Sequence, residues 1–143
     1  MRAAFLLAVL AAAATLLAGC GGAATPSPEA VVRAWSDAID RNDNAAAGRL
    51  FAPGARVIQI DTRTLHSPAE AREWNDELPC GGTIVSLTRD GADVTAVFKL
   101  GDRPQHVCDG PGSEASAIFR VEHGKIVLWH QTPLPATPDQ HAT

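Results

Sequence analysis

The stretch that decides the fold runs Ala30-Val31-Val32-Arg33-Ala34-Trp35-Ser36-Asp37-Ala38-Ile39, then through a polar break to Gly48-Arg49-Leu50-Phe51-Ala52-Pro53-Gly54-Ala55-Arg56-Val57. Ala30, Val31, Ala34, Trp35, Ala38 and Ile39 fall on one apolar stripe at helical spacing, with Arg33, Asp37 and Asp40 off it. Just upstream, Ser27-Pro28-Glu29 starts that helix: an N-cap hydroxyl, Pro in the first turn, then an acid at the positive end of the dipole. Asn42-Asp43-Asn44 breaks it and caps a short second helix over 45–51, which Pro53-Gly54 ends. Residues 55–62 alternate and are rich in β-branched side chains, which predicts a strand.

Further along, Ser67-Pro68-Ala69-Glu70 is a capping box that opens a third helix reaching about residue 78. After Cys80-Gly81-Gly82 the pattern turns to strands. Residues 83–89 and 93–100 flank Asp90-Gly91, a hairpin signal, and Val94, Ala96, Phe98 and Leu100 share one face of the second strand. A polar loop, 101–112, holds Pro104, Cys108 and Pro111. Residues 114–121 and 125–132 are two more strands around a turn at Glu122-His123-Gly124. The order is helix–helix–strand–helix, then four strands. Hairpin connections make the sheet mostly antiparallel, and helices gathered in the N-terminal half can cover one face, an α+β arrangement.

Working back to the N-terminus, Arg2 is followed by an apolar run, 3–17, and then Leu17-Ala18-Gly19-Cys20. This resembles a bacterial lipobox. It implies that residues 1–19 are a signal peptide, that Cys20 carries lipid, and that the protein is exported and anchored to the bacterial cell membrane. Residues 20–27 then read as a flexible tether, 28–133 as the domain, and 134–143, rich in Pro, as a disordered tail. Removing 1–19 from the 143 residues leaves 124, with 11 basic and 16 acidic side chains, a net charge of −5. No basic patch and no Tyr are present, so nucleic acid is not an expected partner. With Cys20 lipidated, Cys80 and Cys108 remain as a pair in an oxidising compartment. The two strands between them go out and back, which returns both Cys to one end of the sheet and predicts a disulfide.

The element order and the quoted stretch resemble the nuclear transport factor 2-like superfamily, also called SnoaL-like or cystatin-like. The helix at Ser67-Pro68-Ala69-Glu70-Ala71 and the ending Phe119-Arg120-Val121-Glu122-His123-Gly124-Lys125-Ile126 fit the same pattern. The resemblance implies a curved sheet wrapped around three helices with a cavity between them. It places Trp35, Gln59, Ala117, Phe119, Trp129 and Gln131 towards that cavity, where they either fill it as core or bind a small, mostly apolar ligand with one or two polar handles. Ketosteroid isomerases of this superfamily use a Tyr, an Asp base and a second acid. Those positions fall on Trp35, Gln59 and near Ala117, none of which supplies that chemistry. Ile58 and Ile60 form the more apolar face of their strand. If they point outward, that face suits a homodimer, since the superfamily commonly pairs through its sheet.

Other side chains carry weaker signals. His66 stands near Asp61 and Arg63 and could form an acid/base pair; His130 stands beside Trp129. Both are weak catalytic candidates, for an enzyme acting on an apolar small molecule. His106, Cys108, Asp109 and Cys80 could ligate zinc only if the thiols stayed reduced. No cofactor motif is present. The reading that emerges is a membrane-tethered small-ligand-binding or accessory module, with the enzyme as the alternative.

Overall fold

A computed structural model describes residues 21–137. The signal peptide expected over 1–19, the lipidation site Cys20 and the last residues of the expected tail lie outside the described residues.

Helix α1 (Pro28–Asp40) starts where Ser27 Oγ accepts from the Ala30 N–H at 3.2 Å. It buries Val31, Val32, Trp35, Ser36, Ala38 and Ile39. The stripe is therefore rotated from the expected one, because Val32 has more surface to bury than Ala30 or Ala34, which stay exposed. Asp43 caps α2 (Asn44–Arg49). This helix stops short of Phe51, which is already strand β1 (Phe51–Ile58) and stacks edge-on against Trp74 with centroids 5.6 Å apart. Pro53-Gly54 sits inside β1, not at a helix end. The register with the neighbouring strand shifts between Phe51 and Arg56, so proline's missing N–H leaves no ladder bond broken.

The single strand expected over 55–62 is two. The chain folds back at 59–61, with the Gln59 N–H donating to the Asp61 carbonyl, and continues as β2 (Thr62–Leu65), antiparallel to β1. Helix α3 (Pro68–Glu77) is capped by Ser67 Oγ, as expected. The Glu70 carboxylate accepts from the His66 N–H at 2.8 Å, one residue before the usual capping-box partner. That bond holds the Glu70 carboxyl below its ordinary pKa, with the His66 ring reinforcing it. Gly48 lets α2 and α3 meet, since a Cβ there would lie 2.8 Å from the Arg72 backbone nitrogen.

Strands β3 (Gly81–Asp90), β4 (Asp93–Gly101), β5 (Glu114–Glu122) and β6 (Lys125–Thr132) complete a six-stranded sheet in the order β2-β1-β6-β5-β4-β3. Only β1–β6 is parallel. The β5–β6 turn has His123 and Gly124 both at positive φ, 51° and 75°, the geometry of a type I′ hairpin. Asp93 and Arg120 clamp β4 to β5 through two bonds of 2.7 and 2.9 Å, which draw the Asp93 carboxyl below its usual pKa. Helix α1 packs on β3, β4 and β5, and α3 on β1 and β2. The core between helices and sheet is a chain of aromatics: Trp35 lies 5.1 Å from Phe119, and Trp74 lies 5.0 Å from Trp129, both edge-on. Such pairs each contribute about 0.5–1.5 kcal/mol beyond the area they bury.

Candidate functional site

The tether, the β3–β4 and β5–β6 turns and the N-terminus of α1 sit at one end of the fold; Pro26 lies against Gly124 there. The other end gathers the C-terminus of α1, the starts of β3 and β5 and the ends of β4 and β6. Between α1 and the sheet at this end a cavity of about 290 Å³ opens. Trp35, Phe98 and Trp129 wall its interior, and Ile39, Leu78 and Leu100 add apolar surface.

Of the six positions expected to face a cavity, Trp35, Gln59, Ala117, Trp129 and Gln131 line this one. Phe119 does not. It is on the same strand face as Ala117, yet two residues further along β5 it is fully buried against Trp35 and Trp129. The two readings, filled core and open pocket, thus hold at different depths: aromatics fill the inner end and leave the outer end open. Gln59, just past β1, donates from Nε2 to Gln131 Oε1 at 3.3 Å across the mouth. On the far side of that pair is a second, more polar hollow that holds the Arg63–Glu77 ion pair, 2.7 Å. Ile60 is 99% exposed beyond the strand end, and Ile58 is half-buried on the sheet face opposite Val57.

Trp35 is held in place from behind. Its indole N–H donates to Asn75 Oδ1 at 2.8 Å, and Asn75 in turn donates to the Ala71 carbonyl at 2.7 Å. The Asn75 carbonyl accepts from Arg103. The Arg103 guanidinium is buried and also donates to Asn42 and Asn44. Burial lowers its pKa, opposed by Asp76 and Asp40. Trp129 differs: its buried indole N–H has no acceptor among the described residues.

Both histidine candidates lie away from the cavity. His66 is solvent-exposed at the start of α3 and pairs with Glu70 at 3.1 Å, not with Asp61. His130 alternates with Trp129 and Gln131 on β6 and therefore faces the other side of the sheet. Cys80 and Cys108 form the expected disulfide, with Cα atoms 4.4 Å apart, at the rim of the cavity. Their sulfurs are thereby taken up. His106 turns instead to Arg103, 3.3 Å, and Asp76, 3.5 Å.

Two rim acids are unexpected at a cavity: the sequence places Asp40 only off the apolar stripe of its helix, and Asp109 only among possible zinc ligands. Asp40 closes α1, and its Oδ1 accepts from the Gly82 N–H at 2.8 Å. Asp109 lies beside the disulfide, 3.3 Å from the Cys80 sulfur. Only the folding of α1, β3 and the 101–112 loop against one another puts both on one rim.

No family model and no curated protein sequence matches the chain. Solved structures do. An NTF2-like protein of unknown function from Cytophaga hutchinsonii superposes with a TM-score of 0.63 at 13% identity, covering 78% of this chain and 93% of that one. An uncharacterized cystatin fold protein from Novosphingobium aromaticivorans gives 0.59 at 14% identity, over 76% and 99%. A protein with a ketosteroid isomerase-like fold from Catenulispora acidiphila, in complex with trimethylamine, gives 0.56 at 20% identity, over 76% and 87%. The strand order, the three helices and these superpositions agree that the protein has the nuclear transport factor 2-like fold.

Proposed function

We propose that this protein is an exported, membrane-tethered lipoprotein whose domain binds a small, mostly apolar ligand in the cavity between α1 and the sheet. The observation that carries this reading is the open aromatic cavity itself. Trp35, Phe98 and Trp129 wall it, and Ile39, Leu78 and Leu100 extend its apolar surface. The volume stands at the small end of the range for small-molecule sites. The lipobox at Leu17-Ala18-Gly19-Cys20 supports anchoring through acyl chains. No helix among the described residues is long and apolar enough to cross a membrane.

The enzyme alternative loses its named bases, since His66 and His130 both lie outside the cavity. The acids that remain on the lining, Asp40 and Asp109, both stand at its rim.

Two measurements test the proposal together. Radiolabelled palmitate fed to the cells should label the wild-type protein and not the Cys20→Ser variant. The purified lipoprotein should change its tryptophan fluorescence on titration with small aromatic alcohols such as 2-phenylethanol. An unlabelled wild-type protein would remove the lipoprotein half, and a flat titration would remove the ligand half.

A further inference from the structure

The cavity has a charge as well as a shape. Its interior is aromatic and aliphatic, and its rim carries two carboxylates, Asp40 and Asp109. Among the described residues that line it, none is Lys, Arg or His. The two acids flank one short segment: Asp109 at Cys80, and Asp40 bonded to Gly82. Asp40 also ends α1, whose last turn contains no basic residue, so the negative end of the helix dipole adds to the field at the mouth. An acid at that end is locally unfavourable, by about 0.3–1 kcal/mol. Arg41, the exposed cap residue, is not among the lining groups. The nearest buried cation, Arg103, lies behind Gly81, where a Cβ would be 3.3 Å from its own Cβ; its terminal nitrogens donate to Asn42, Asn44 and Asn75, its Nε has no partner among the described residues, and its attraction to Asp40 offsets part of that acid's charge.

From this arrangement we infer that the ligand is a small organic cation: an amine with an apolar or aromatic body, bound with the body inward and the ammonium at the rim. The inference rests on the small-ligand reading above and names its chemical class. The apolar body replaces water against Trp35, Phe98 and Trp129. The ammonium stays at the half-wet mouth, where it keeps part of its hydration and gains Asp40 and Asp109 as counter-charges. An anion of that shape meets two like charges and no donor cation.

The test uses three probes of one shape and three charges, 2-phenylethylammonium, 2-phenylethanol and phenylacetate. Each is titrated into the full lipoprotein in neutral-lipid nanodiscs, with tryptophan fluorescence as the readout. The ammonium is expected to bind about tenfold tighter than the alcohol, a difference of about 1.4 kcal/mol. Phenylacetate is expected to bind weakest, and the spread should narrow as salt rises. In the Asp40→Asn/Asp109→Asn double variant the tenfold preference for the ammonium over the alcohol should disappear. Asparagine at 40 keeps an oxygen for the Gly82 N–H, and circular dichroism checks that the variant is folded. If the alcohol binds wild-type protein as tightly as the ammonium, or if the preference survives in the double variant, the cation class is wrong while the small-ligand reading stands. If none of the three binds, both fall.

Discussion

Trp35 does two jobs that pull on different atoms. Its ring walls the cavity and packs on Phe98, Phe119 and Trp129, while its N–H is tied to the fully buried Asn75. Replacing it therefore has two separable costs. Trp35→Ala should destabilise by about 3–5 kcal/mol as a large-to-small core change. Trp35→Phe keeps most of the packing but strands Asn75 Oδ1, and should still cost about 1–3 kcal/mol. Urea unfolding of both variants measures this; a Phe variant as stable as wild type would mean that the Asn75 bond is dispensable. The stripe of α1 made Trp35 legible as an inward residue. Asn75 was not legible, because a polar residue within a helical pattern reads as a solvent-facing one until a buried N–H is found opposite it.

At the scale of elements, the mouth of the cavity is built from segments that are poor in apolar content. The 101–112 loop is polar; the disulfide and the Arg103 network hold it to the rest of the fold, and within it the Asp102 carboxylate accepts from the Cys108 N–H at 2.8 Å. The bridge closes a loop of 29 residues, for which the chain-entropy model gives about 3.6 kcal/mol. The Cys80→Ser/Cys108→Ser double variant should lose stability of that order in urea unfolding without a change in secondary structure by circular dichroism. A loss below about 1 kcal/mol would show that the Arg103 network alone pins the loop. The strand break at 59–61 belongs to this scale too. Its residues, Gln59-Ile60-Asp61, continue a β-like alternation, so no local signal announces the turn. The chain reverses because β2 pairs back on β1 and finishes the sheet edge beside α3.

For the whole molecule, the two ends have different tasks. The chain enters beside the β5–β6 turn, with Pro26 against Gly124, and the cavity opens at the opposite end. A protein anchored through Cys20 would thus present its mouth away from the bilayer. Acrylamide quenching of the three tryptophans should be the same for the lipoprotein reconstituted on vesicles as for the detergent-solubilised protein, and 2-phenylethylammonium should retain its affinity. Quenching suppressed on vesicles would place the mouth against the membrane and refute this orientation.

The sequence by itself determined the three helices, the four C-terminal strands, the α+β class and the disulfide. Each of these rests on spacing or capping within a few residues, or on a pair with no other partner. The family resemblance pointed to six cavity positions, of which five line the cavity between α1 and the sheet. Tertiary structure alone decided depth: Ala117 lines open space and Phe119 does not, because alternation tells which face a residue takes and not how far along the strand the helices close over it. It likewise decided the company of Asp40 and Asp109. They are far apart in the chain, and they share a rim only because α1, β3 and a disulfide-pinned loop end at the same place.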